Sequence, residues 1–148
     1  MKKFSLLLIV IFLLTFVACG DDGESAQLNA SDVLNAFIEA SLPIGETEIY
    51  TEETDPNELL GRPDSYTSKV NFADTRLEQG ENLTGGSIEV FAVQKDAETR
   101  KDYIESIFEA MPFMSEYIYI KGTMLLRLSY SLTPEQAQEY NKIFANLE

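Results

Sequence analysis

Residues 31–148 predict an α+β domain: an antiparallel sheet of four to five strands with helices packed on one face, in the order α-(short α)-β-β-α-β-β-α. Three observations predict it. YTSKVNF (66–72) and SIEVFAV (87–93) are short, rich in β-branched and aromatic residues, and bounded by turn residues, and EYIYIKGTMLLRLSY (116–130) reads as a hairpin around Lys121-Gly122. Between and after them run stripes of helical period that end at Pro43 and Pro112 or start at Pro134. A chain of this size and apolar content can bury one core without disulfides, and layering helices on a sheet is the economical way to do so.

The elements follow in order. Ser31 or Asp32 caps a first helix whose apolar positions are Val33, Leu34, Phe37 and Ile38. IGETEIYTEETDPNE (44–58) carries a short strand around Ile49-Tyr50 and then an acidic turn. Asp55-Pro56 has the form of an N-cap and first-turn proline, opening one or two helical turns that Gly61 closes. In strand 66–72, alternation puts Tyr66, Ser68, Val70 and Phe72 on one face and Thr67, Lys69 and Asn71 on the other. The strand 87–93 is apolar on both faces, which places it centrally. Asp96 caps a helix to about Ala110, with Ile104, Ile107, Phe108 and Met111 as its stripe. For the hairpin, a three-residue loop with Gly122 left-handed aligns Ile118 with Met124, Leu126 and Leu128. A two-residue loop puts Tyr117 and Tyr119 on that face instead, and the first is preferred. The last helix has the clearest local signals: Thr133 as N-cap, Pro134 at N1, Gln136 closing a capping box, and Ala137, Tyr140, Phe144 and Leu147 on one face.

Ahead of this domain stands MKKFSLLLIVIFLLTFVACG. Two lysines, an apolar run from Phe4 to Val17 and small Ala18 form the three regions of a secretory signal peptide. The run is shorter than the roughly 20 residues that span a bilayer. The sole cysteine, Cys19, follows Phe16-Val17-Ala18. This resembles the lipobox of bacterial lipoproteins, although Phe16 stands where leucine is usual. The resemblance implies cleavage after Ala18, acylation of Cys19 and anchoring of the chain to the cell membrane on its extracytoplasmic side. Two or more acyl chains hold stably, at about 0.8 kcal/mol per buried CH₂. The domains are then 1–18 signal peptide, 19–30 lipidated cysteine and flexible acidic tether (GDDGESAQLNA from residue 20), and 31–148 the α+β domain.

Loss of Lys2 and Lys3 with the signal leaves nine basic residues against 25 acidic ones, a net charge of −16. Such a surface repels phosphate backbones, so nucleic acid is not an expected partner. With no histidine in the chain, Ser-His-Asp and Cys-His catalysis and the usual zinc, copper and iron ligand sets are excluded. No P-loop or Gly-x-Gly-x-x-Gly occurs. What remains is weak. Ser68 and Lys69 are adjacent on a strand and point to opposite faces. Paired carboxylates carry no specificity among 25 acids, and the acidic run from Glu46 to Glu58 does not match a calcium loop. No catalytic residue, metal or cofactor is expected.

LLGRPDSYTSKVNFAD (59–74) is the most distinctive segment. With GGSIEVFAVQKDAETRKDY (85–103) and EYIYIKGTMLLRLSYSLTPEQAQEY (116–140), it resembles small exported bacterial proteins and lipoproteins of an uncharacterised family marked by LLGRPxxYTSKxxFxD. That resemblance implies no activity. Leu59-Leu60-Gly61-Arg62-Pro63 is also similar to a short string in lipoprotein domains that act as outer-membrane assembly factors or inhibitor-like modules. Gly61 and Pro63 account for themselves as a helix stop and a turn into an extended strand. Arg62, Lys69 and Arg76 hold three of the nine basic residues of the processed chain. Two roles are open to them: pairing with acids such as Glu58, Asp64 or Asp74, or, with Tyr66, forming a binding patch for an anionic group. The expected function is a non-catalytic protein- or ligand-binding module anchored in the bilayer through acylated Cys19. The alternatives are an accessory or assembly factor of an envelope complex, with an envelope protein as partner, and a carboxylate- or Ser/Lys-based hydrolase.

Overall fold

Asn29 sets the start of the first helix. Its side chain accepts from the amides of Ser31 and Asp32, while Asp32 returns a bond to the Asn29 amide, a complete capping box two residues ahead of Ser31 and three ahead of Asp32, the caps expected. The computed structural model describes residues 27–80 and 82–148. The signal segment, Cys19 and most of the tether lie outside the described residues. Helix α1 (Ala30–Glu39) is followed by strands β1 (Ile44–Ile49), β2 (Tyr66–Asp74) and β3 (Gly85–Phe91), and then helix α2 (Gln94–Ala110). A 3₁₀ turn (Pro112–Met114), strands β4 (Glu116–Lys121) and β5 (Met124–Ser129) and helix α3 (Pro134–Phe144) complete the chain. The class is α+β, and the five strands form one antiparallel sheet in the order β1-β2-β3-β5-β4. Central β3 is buried on both sides, as its two apolar faces require.

The helices do not share one face. α1 and α3 pack on the side that carries Val70, Phe72, Ile88, Val90, Leu126 and Leu128. Phe37, Phe72 and Tyr140 form an aromatic cluster there, with ring centroids 5.3–6.1 Å apart. α2 packs on the opposite side over β3, β4 and β5, where Ala97 and Ile104 meet Tyr66, Phe91 and Leu125. The reason is the second apolar face of β3 and β5: Phe91 and Leu125 need cover of their own.

Five local expectations change. β1 begins at Ile44, before the Ile49-Tyr50 strand expected. Residues 51–65 form successive turns and no short helix, with Glu58, Gly61 and Asp64 at positive φ. A bulge between Tyr66 and Ser68 carries Tyr66 across to the α2 face, opposite Phe91 and away from Val70 and Phe72. The hairpin turns on the two residues Gly122-Thr123, because Lys121 pairs with Met124. Gly122 at φ +55° fits the first loop position of a tight turn, and Tyr117 and Tyr119 share the face of Leu126 and Leu128. Asp96 lies in the first turn of α2, whose N-cap is Val93. Thr133, Pro134 and Gln136 build the cap of α3 as expected.

Candidate functional site

The segment before β2 is wrapped around one carboxylate. Asp55, its side chain fully buried, accepts from Lys69 Nζ at 2.8 Å and Tyr66 Oη at 2.6 Å. It also accepts from the backbone amides of Leu59 and Leu60, at 2.9 and 3.1 Å, and more weakly from Asn57. These bonds take up amides that a short helix would otherwise leave free, so the chain turns around Asp55 and lays Leu59 and Leu60 onto the α2-side core. Burial by itself raises the pKa of such a carboxyl. The Lys69 ammonium, the Tyr66 hydroxyl and the two amides outweigh it and hold Asp55 well below the usual carboxylate range. Burial and the bond to Asp55 push the Tyr66 hydroxyl up.

Of the four residues singled out beside Cys19, Tyr66 and Lys69 therefore meet, on Asp55. Arg62 stays exposed at the turn, 3.5 Å from Glu58. Arg76 stands beyond the far end of β2, bonded to both oxygens of Asp74 and, at 2.7 Å, to Glu139 of α3. Asp74 is fully buried and also accepts from Tyr140 of α3. Burial opposes its ionisation, but Arg76 and Tyr140 hold its pKa down. Lys69 sits opposite Glu89 on the α2 side, whereas Asp74 and Arg76 are tied to α3 on the other. Each of the three cations faces a carboxylate of its own chain.

A second buried network went unread in the sequence. Glu89, fully buried, is held by Arg100 of α2 at 3.0 Å and by Arg127 of β5 at 3.5 Å, and Arg127 also reaches Glu116 of β4 at 2.7 Å. Its signal was present: a glutamate between Ile88 and Val90, on a strand apolar on both faces, has to be buried and neutralised.

α2 covers only part of its face. Over the remainder runs an open groove of about 990 Å³. Its floor is a row of side chains in cross-strand register, from Glu48 on β1 through Asn71 and Ser87 to Arg127 on β5. Tyr50 stands beside this row. Its hydroxyl donates to Glu48 at 2.6 Å and accepts from the Asn71 amide at 3.0 Å. Burial and the Glu48 carboxylate push it up to about 12. Phe113, Met114 and Tyr130 also line the groove. Among the described residues, Asn71 Oδ1 and Ser87 Oγ are buried oxygens with no protein partner. Ser68 is elsewhere, its hydroxyl accepting from the Ala30 amide at the start of α1, so Ser68 and Lys69 do not meet.

Among the described residues no group of three or more acidic or cysteine side chains is placed to hold a metal ion, and no helix is long and apolar enough to cross a membrane. No family model matches the chain, and no curated protein or solved structure is significantly similar to it.

Proposed function

We propose that this chain is an extracytoplasmic lipoprotein, held to the cell membrane by acylated Cys19, whose domain is a non-catalytic binding module. The observation that carries the binding role is the groove: a concavity of about 990 Å³ over the part of the sheet that α2 leaves open, with a polar floor and aromatic residues in its lining. The side chains that a Ser/Lys hydrolase needs are occupied elsewhere. Lys69 is spent on buried Asp55, and Ser68 on the first turn of α1. The signal and lipobox pattern, together with a tether rich in small and acidic residues, supports presentation of this domain above a membrane surface.

Fractionation of cells expressing the full chain tests the anchor. The native protein should sediment with membranes and Cys19→Ser should not; a variant that stays in the membrane pellet rejects the lipoprotein reading. A photo-crosslinking amino acid at Ser129, in the groove, should give adducts in intact cells that the same group at exposed Glu98 of α2 does not. Equal labelling at both positions, or none at either, rejects the groove as the binding face.

A second reading, an accessory to an envelope complex, draws on the apolar groups beside the groove. Phe113 is 85 % exposed and Tyr130 66 %, which suits a protein partner.

A further inference from the structure

Resting on the reading of the groove as a ligand site, we infer that its ligand is a small organic cation, a linear molecule bearing two or more amines. Charge decides first. The two cations in the lining are already consumed, Lys69 by Asp55 at 2.8 Å and Arg127 by Glu116 and Glu89 at 2.7 and 3.5 Å. Glu46 and Glu48 line the same groove from exposed β1 and, among the described residues, neither has an ion-pair partner. Glu48 receives only the hydroxyl of Tyr50. An anionic ligand would meet carboxylates and no free cation, whereas an amine meets two unspent acids. The net charge of −14 over the whole chain adds a field that draws cations inward.

Hydrogen-bond polarity points the same way. Asn71 Oδ1, which can only accept, and the Ser87 hydroxyl, which can accept as well as donate, lie side by side on β2 and β3 without a protein partner among the described residues. An ammonium group carries donors and no acceptor, and so matches that demand. The aromatic groups supply the third element. Tyr50 already has a cation over its ring, the Lys69 ammonium at 4.7 Å from the centroid, and Phe113 and Tyr130 offer exposed rings to the alkyl body or charge of a longer ligand. A hydrated divalent metal would use none of these rings. The groove lies at the upper end of the roughly 300–1,000 Å³ of small-molecule sites, which admits an extended chain.

Calorimetric titration of the full-length protein in detergent tests this, with spermidine, magnesium chloride, citrate and maltotriose as probes at matched ionic strength. Spermidine should bind saturably at one site, and citrate should not bind. The double variant Glu46→Gln/Glu48→Gln should weaken spermidine about tenfold or more. Phe113→Ala should weaken it several-fold, and Glu105→Gln, on the exposed side of α2, should leave it unchanged. Circular dichroism of each variant separates loss of binding from loss of fold. Spermidine binding that magnesium abolishes at equal ionic strength, or that Glu105→Gln weakens as much as the groove variants do, is diffuse attraction to an acidic surface and overturns the proposal. Binding of citrate or maltotriose but not spermidine, lost in the groove-filling Ser129→Trp, also overturns it while leaving the binding-module reading intact. If no probe binds and Ser129 crosslinks nothing in cells, both readings fail together.

Discussion

Asp55 and Lys69 are separated by 14 residues in sequence and joined at 2.8 Å, with both side chains almost wholly shielded from solvent. Removing one partner of a buried pair strands the other charge, at a cost of about 3–5 kcal/mol. Lys69→Met should therefore unfold at much lower denaturant concentration than the native protein. The double variant Lys69→Met/Asp55→Asn should recover part of the loss, because Asn keeps an acceptor for the turn amides without the charge. A Lys69→Met protein within about 0.5 kcal/mol of native would show that the pair is not sealed as described. Arg62→Ala is the contrast, since its pair with Glu58 is exposed; its effect should stay within about 0.5 kcal/mol. The acid response follows from the same carboxylates. Asp55 and Asp74 both have pKa values lowered by folding. Their contribution is therefore fully present above the unfolded value of about 3.9 and is lost as pH falls below it toward the folded values. Denaturant melts between pH 6 and pH 2.5 should show stability falling from about pH 4 downward, with a shallower fall in Asp55→Asn. A slope unaltered by that substitution would remove Asp55 from the acid response.

At the level of elements, what is local in sequence was readable and what depends on distant pairing was not. The cap of α3 needs only Thr133 and Gln136, three residues apart, and it forms with both reciprocal bonds. Thr133→Ala should cost about 1 kcal/mol, read as a lowered unfolding midpoint with the slope of the transition unchanged; no change would mean that the docked face of α3 holds it alone. The strand β1 was misplaced because IGETEI is an edge strand with four exposed positions, so it lacks the alternation that marks a buried one. The register of the hairpin hangs on one residue more or less in the loop, and that one residue exchanges Ile118 and Ile120 for Tyr117 and Tyr119 on the α1–α3 side. The bulge at Tyr66 is of the same kind, since the alternation of YTSKVNF reads cleanly through it. The turns at 51–65 misled for another reason. Asp55-Pro56 has the grammar of a helix cap, but the same carboxylate serves a lysine and a tyrosine on β2, and that tertiary demand overrides the local one.

Across the whole molecule, the candidate site is a product of the sheet, which is why the sequence showed its parts but not their assembly. Glu48, Asn71, Ser87 and Arg127 come from four strands and meet only through register. The scarce cations were visible, and pairing with Asp74 was one of the roles open to them, whereas sequestration on Asp55 and Glu89 was not visible. That sequestration has a consequence for the molecule as a charged body. With Lys69, Arg76, Arg100 and Arg127 held in buried or half-buried pairs, the rest of the surface is left with unbalanced carboxylates, and the chain carries a net charge of −14. Two salt effects then oppose each other. Exposed pairs such as Arg62–Glu58 and Lys101–Glu105 weaken as salt is added, but each is worth at most about 1 kcal/mol. Self-repulsion among the remaining acids, which disfavours the compact state, is relieved as the Debye length contracts from about 10 Å at 0.1 M to about 3 Å at 1 M. The buried Asp55–Lys69, Asp74–Arg76 and Glu89–Arg100 contacts lie where ions penetrate least, so they hold through the same range. Relief of repulsion therefore wins, and raising sodium chloride from 20 to 500 mM at pH 7 should raise the melting temperature. A melting temperature that falls with salt would mean that exposed ion pairs, and not the buried ones, carry the electrostatic stability of this fold.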